Sequence, residues 1–249
     1  MNTPPPIDIL QNLQHTLERI ENACKSANRN PSDVRLLLAT KTVSAERIKI
    51  ALGAGQILIA ENKVQEIKEK YDELKDTPHE SHFIGHLQTN KIKEILRYDI
   101  HCIETVDRLQ LAEKLQHRLS FENKQINVFI QVNTSGEESK FGADPEDAVD
   151  LVKAVAQFDR IHIKGLMTIG LFSAETEKVQ NCYRLLRQLR DEIKALNIPG
   201  VAMKELSMGM SGDLETAIEE GATIVRVGTA VFGKRIYPDS YYWNENSHA

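Results

Sequence analysis

A chain of 249 residues, 41% hydrophobic and 27% charged, has the composition of an ordinary globular protein and the length of one α/β barrel or of two small domains. Its formal net charge of -5 argues against a broad basic face for nucleic acid, which would need Lys and Arg to neutralise phosphates. No apolar stretch nears the ~20 residues that cross a bilayer; with no secretory signal pattern and three scattered cysteines (Cys24, Cys102, Cys182), a cytoplasmic, reducing compartment is expected, without disulfides or a cysteine-bound metal.

The opening MNTPPP reads as a flexible leader over residues 1–7, since successive prolines cannot feed a hydrogen-bonded ladder. From Asp8 onward Ile9, Leu10, Leu13, Leu17, Ile20 and Cys24 recur at helical spacing and predict an amphipathic N-terminal helix. Strand-like runs then follow at 34–39, 57–60, 82–84, 101–106, 127–132, 161–169, 204–208 and 224–227. Helical patterns separate them at 45–52, 64–74, 91–96, 108–119, 146–156, 177–196 and 214–220, and a last short helix starts near Thr229. Several strands are apolar throughout, as expected when both faces are covered. Eight strand–helix units without an interior linker predict one α/β domain over 8–237, a (β/α)8 TIM-type barrel preceded by the N-terminal helix. The polar, aromatic stretch 238–249 is left as a C-terminal tail.

Function in such a barrel sits where strands end and βα loops begin. The strand ends in chain order are Lys41-Thr42, Glu61-Asn62, Gly85-His86, Glu104, Asn133-Thr134, Gly170, Met210-Ser211-Gly212 and Gly228-Thr229, a polar and glycine-bearing ring. Lys41 follows the buried run LLLAT, and desolvation of an amine there disfavours the ammonium and favours an imine-forming nucleophile. An ion-paired lysine at a strand end would look the same in sequence. In SMGMSGD and VRVGTAVFG, the Ser211 and Thr229 hydroxyls and the backbone N–H groups at two helix starts make a natural phosphate cradle, although ordinary capping by Ser211 or Asp213 accounts for each piece separately. Arg226, two residues before Gly228, shares its side of the strand and needs an acceptor, either a carboxylate or a ligand atom. His82, His86 and His101 have no metal-ligand spacing and read as core or loop histidines. GEESK at 136–140 reads as a solvated loop with Lys140 turned towards the mouth. Neither dinucleotide nor P-loop motifs occur.

The segments LLLATKT, ENKVQE, HFIGHLQTNK, QVNTSGEESKFG, GLMTIG and LSMGMSGDLETAIEEGATIVRVGTAVFG, in order from about residue 36 to 233, resemble the pyridoxal-phosphate homeostasis protein family, whose barrels are similar to the N-terminal domain of alanine racemase. The resemblance implies pyridoxal 5′-phosphate as cofactor and Lys41 as its Schiff-base lysine. It further implies Ser211, Gly228 and Thr229 as phosphate ligands, Arg226 against the pyridine nitrogen, and Asn62 near the ring. Ala60 and Lys63, which flank the Glu-Asn pair, depart from the commonest family form and bear on the role of Asn62. An arginine cannot readily protonate the ring, so the cofactor is a weaker electron sink than beside an aspartate. The second, β-rich domain that completes a racemase is not expected in this chain. A non-catalytic carrier, buffer or regulator of vitamin B6 and amino-acid pools is therefore expected. It would be monomeric, would deliver cofactor to apo forms of pyridoxal-phosphate enzymes, and would have no nucleic-acid or membrane partner. The alternatives are a weak amino-acid racemase or another pyridoxal-phosphate enzyme, and a sugar-phosphate barrel using Lys41 as an aldolase-like amine.

Overall fold

The computed structural model describes residues 7–171 and 173–233; leader residues 1–6 and the expected tail at 238–249 lie outside the described residues. Helix α1 (Ile9–Ser26) begins at Asp8, whose carboxylate accepts from the Gln11 N–H at 3.0 Å, the usual way to satisfy an orphan first-turn donor. Its buried stripe is Ile9, Leu13, Thr16, Ile20, Ala23 and Cys24.

Among the described residues, eight strands and eight helices then alternate: β1 (Arg35–Ala39), α2 (Ala45–Gly53), β2 (Leu58–Glu61), α3 (Val64–Leu74), β3 (Glu80–Phe83), α4 (Ile92–Ile95), β4 (Cys102–Val106), α5 (Leu109–Glu122), β5 (Ile126–Gln131), α6 (Ala148–Val155), β6 (Ile161–Met167), α7 (Thr176–Ala195), β7 (Glu205–Ser207), α8 (Leu214–Glu219), β8 (Ile224–Val227) and α9 (Thr229–Phe232). The strands pair in parallel, in sequence order, and β8 closes on β1 with Leu37 opposite Arg226. This is the (β/α)8 TIM-type barrel with an N-terminal helix that the alternation predicts. The expected bounds hold to within a residue or two at most ends. The third strand starts two residues earlier than the expected 82–84, because the polar residues Glu80 and Ser81 belong to it and are satisfied by hydrogen bonds to His82 and His101 rather than by burial in hydrocarbon.

Alternation along each strand divides the core into two layers. Leu37, Leu58, Ala60, Cys102, Phe129, Met167 and Ile224 fill the barrel lumen, while a larger cluster that includes Leu36, Leu38, Ile59, Val128 and Val225 packs between strands and helices. Each Val, Leu, Ile, Phe or Met among them contributes roughly 1.5–3 kcal/mol on full burial. Helix α1 lies against α8 and α9. From there Arg19 pairs with Glu215 at 2.7 Å and donates to the Ser211 carbonyl at 3.0 Å, and the Asn12 amide donates to the Val231 carbonyl at 3.1 Å. The N-terminal helix thus braces the loops after β7 and β8.

Strand β6 shifts register against β5, so that Val128 faces Ile163 but Phe129 faces Gly165. A Cβ at Gly165 would stand 1.9 Å from the Glu205 carbonyl oxygen of β7, which backbone in a closed barrel cannot avoid. Gly165→Ala is expected to destabilise the fold by about 3 kcal/mol or more, read as a lowered urea midpoint with little change in slope.

Candidate functional site

The β1 and β2 ends stand side by side, with Ala39 opposite Ala60. Lys41 continues the parity of Leu37, and Asn62 that of Leu58 and Ala60, which face the lumen. Thr40 and Glu61, on the other parity, meet Lys70 of α3 outside the barrel wall. On β8, Arg226 and Gly228 continue the parity of lumenal Ile224. Closure of β8 on β1 therefore gathers Lys41, Asn62, Arg226 and Gly228 at one end, although 185 residues part Lys41 from Arg226 in the sequence. Gly228 is needed there as a glycine: a Cβ would meet the Ala39 carbonyl oxygen at 2.8 Å.

The loops after β7 and β8 converge as well. The Thr229 hydroxyl donates to Ser211 Oγ at 3.3 Å. The turn that carries Ser211 is held by other groups: Asp213 Oδ1 accepts from the Met210 N–H at 2.6 Å, Asp213 Oδ2 accepts from the Tyr183 hydroxyl at 2.8 Å, and Arg19 binds the Ser211 carbonyl. The Ser211 hydroxyl is thus not what caps α8, and it turns towards Thr229 instead. Lys140 donates to the Gly170 carbonyl at 2.6 Å and pairs with Glu137, so its side chain reaches the loop that follows β6. Phe141 stacks on His86 with ring centroids 3.7 Å apart.

Arg226 is only 5% exposed, and a buried guanidinium has to be compensated. Its Nη2 donates to the Thr168 carbonyl at 2.7 Å and its Nη1 to Ser207 Oγ at 2.8 Å. Ser207 in turn donates to Glu104 Oε2 at 2.5 Å, and Glu104 Oε1 meets His82 Nδ1 at 2.6 Å. His82 Nε2 lies 3.0 Å from Glu80, which pairs with Arg35 at 3.3 Å near the opposite end of the barrel. A chain of alternating charge therefore runs down the lumen. Burial alone would raise the Glu104 carboxyl, but the hydrogen bond and charge of His82, with Arg226 and Ser207 beyond it, hold it below the usual carboxylate range. Burial alone would likewise lower His82, yet hydrogen bonds to Glu104 and Glu80 overcome this and raise it to about 9. His82 is thus a satisfied core histidine, as its spacing suggested, and also a buried cation. Glu104 carries no motif of its own in the sequence; its one signal is an acidic residue inside an apolar strand, CIETV.

A model of the alanine racemase N-terminal domain family matches residues 9–236. The pyridoxal phosphate homeostasis protein of Aquifex aeolicus is 44% identical over 227 residues, covering 91% of this chain and 98% of that protein. The chain belongs to the pyridoxal phosphate homeostasis protein family. The Escherichia coli K12 member of this family is 38% identical over 233 residues, with 92% and 98% coverage. Among solved structures, PipY of Synechococcus elongatus PCC7942 with PLP bound is 32% identical, with a TM-score of 0.75 over 86% of this chain and all of that one. The alanine racemase of Clostridium difficile, at 16% identity, shares the fold, with a TM-score of 0.70 over 92% of this chain and 57% of that one.

Within this homeostasis-family barrel the lumenal charges set a pH response. The raised His82 contributes stability that is complete below its ordinary value of 6.5 and is lost as pH rises through about 9, while the lowered Glu104 contributes stability that is complete above its ordinary value of 4.5 and is lost as pH falls from there through its depressed folded-state value. Unfolding free energy should therefore fall by up to about 3 kcal/mol between pH 6.5 and 9.5. In His82→Gln that alkaline decline should flatten, as read from urea melts at each pH.

Proposed function

We propose that this protein binds pyridoxal 5′-phosphate at the C-terminal mouth of its barrel and holds it covalently through Lys41, serving as a carrier and buffer of the cofactor rather than as a turnover catalyst. The observation that carries this reading is the meeting of an amine-bearing strand end, a hydroxyl pair and an oriented guanidinium at one barrel end. PLP carries an aldehyde, a pyridine nitrogen and a phosphate, and the donor set present matches these three groups. The bound cofactor would supply an electrophilic aldehyde carbon on an electron-withdrawing ring. Lys41, as the neutral amine, would condense with that aldehyde, forming a C=N bond and releasing one water. Ser211, Thr229 and the backbone at Gly228 would hold the phosphate, as loops seven and eight commonly do in this fold. Arg226 would face the ring nitrogen, and Asn62 would line the ring.

The carrier reading is supported by what surrounds Arg226. Its guanidinium stays charged at all working pH values, its plane is fixed by Ser207 and Thr168, and Glu104 balances it through Ser207. A guanidinium can donate a hydrogen bond to a ring nitrogen but does not give up its proton to it, so the ring stays a weak electron sink and carbanion chemistry on the cofactor gains little help. The PLP bound in PipY supports the cofactor, and the homeostasis names of the relatives support a role in its homeostasis. Among the described residues no helix is long and apolar enough to cross a membrane. A cytoplasmic location, a monomer, and apo-enzymes as recipients complete the proposal.

Wild-type protein reconstituted with PLP should be yellow, and borohydride should fix the label on the Lys41 peptide. Lys41→Ala should lose the visible band and weaken cofactor binding by about tenfold or more. A colourless protein that cannot be reconstituted would sink the reading. Solvent deuterium entering Cα of an amino acid at roughly 1 s⁻¹ or faster would replace the carrier with a racemase-like enzyme.

A further inference from the structure

We infer that helix α3 is the positioning element of the Lys41 attachment site: Glu66 and Lys70, one turn apart, clamp the backbone on both sides of Lys41 and so fix where its amine can stand. The inference rests on the proposed role of Lys41. Residues four apart share a helix face, and here that face looks onto the ends of β1 and β2. On the C-terminal flank, Glu66 Oε1 accepts from the Thr42 N–H at 3.1 Å. On the N-terminal flank, Lys70 Nζ donates to the Thr40 carbonyl at 2.9 Å and pairs with Glu61 Oε1 at 2.8 Å, to which the Thr40 hydroxyl also donates at 2.7 Å. Both peptide groups bordering Lys41 thus end on ionisable side chains of a single helix, through the stronger, charge-assisted kind of hydrogen bond.

Three further observations separate this from ordinary capping. A capping glutamate at the third helical position needs only the N-cap N–H. Glu66 Oε2 does take that bond, from Lys63 at 3.1 Å, but it also accepts from Asn62 at 3.3 Å, and its other oxygen reaches the separate loop of Thr42. One carboxylate therefore ties the Lys41 loop to the Asn62 loop. Thr42 has φ +65°, a left-handed conformation that a β-branched residue adopts only when its surroundings hold it; the turn closed by the Val43 N–H on the Thr40 carbonyl at 2.9 Å sets it, and the bond to Glu66 anchors that turn to α3. The Lys70–Glu61 pair is nearly buried, with side chains 11% and 4% exposed. A buried ion pair is a poor source of fold stability compared with apolar residues of the same volume, and this one is spent on the carbonyl next to Lys41. Glu66 and Lys70 touch the attachment residue only through its neighbours, so they are positioning residues.

The test compares wild type, Glu66→Gln, Lys70→Met and Leu74→Ala as full-length protein. Leu74 is a buried apolar residue of α3 that takes no part in the clamp. Each protein is mixed with PLP, trapped with borohydride over a time course and mapped for the labelled lysine; binding of pyridoxine 5′-phosphate, which lacks the aldehyde, is measured in parallel. Because an ångström of misplacement can cost up to ~100-fold in rate, labelling of Lys41 should slow by about tenfold or more in Glu66→Gln and in Lys70→Met. Affinity for pyridoxine 5′-phosphate should stay within about threefold of wild type in both. Leu74→Ala should lose thermal stability yet label Lys41 at close to the wild-type rate. Wild-type labelling rates in both clamp variants, or equal slowing in Leu74→Ala, would overturn the clamp while leaving Lys41 in place. A wild type that never labels Lys41 would overturn the attachment reading itself, and the clamp with it.

Discussion

A guanidinium buried inside a barrel is the constraint around which this lumen is organised. Arg226 cannot lose its charge and is almost wholly withdrawn from water, so the interior must answer it. Ser207, Glu104, His82 and Glu80 do so in a hydrogen-bonded line that reaches Arg35 near the other end of the barrel. The apolar lumenal residues Leu37, Leu58, Phe129 and Met167 then fill the volume this line leaves. The polar chain costs desolvation at every ion. What it supplies is a cation with a fixed plane, directed at the end of the barrel where Lys41 also stands.

The helices outside the wall carry the complementary task of holding the loops that the strands only deliver. Helix α1 reaches the Ser211 loop through Arg19 and the last helix through Asn12, and α3 reaches the Lys41 and Asn62 loops through Glu66 and Lys70. Strand termini alone would leave such loops at the less stable end of the structure. Charged side chains that cross from one layer to the next give them defined positions without filling the mouth itself. The same economy explains Gly228, where the absence of a Cβ lets β8 come against Ala39.

Much of this protein could be read from its residues in order. The 2.0 and 3.6 periodicities marked eight strands and their helices, because each element buries one face or stripe against a continuous core. Lys41 after LLLAT, and the small hydroxylated turns around Ser211 and Thr229, were visible as strand-end chemistry, and family resemblance gave them roles. The third strand begins two residues before its expected start because Glu80 and Ser81 are polar, and a hydrophobic pattern cannot register residues satisfied by hydrogen bonds.

Which distant residues answer one another is settled by the folded barrel. Ser207 and Glu104 are 103 residues apart, Arg226 and Thr168 are 58 apart, and Thr42 and Glu66 are 24 apart. Local pattern reports whether a side chain faces in or out, but a charge's partner is chosen by strand register and by the closing of β8 on β1, and neither is written in any one segment. The order of residues alone therefore specifies the barrel and the kinds of groups around its mouth. The fold decided that Arg226 stays a balanced, oriented cation and that one helix grips both sides of Lys41, because compensating a buried charge and pinning a strained backbone both require groups brought together by closure.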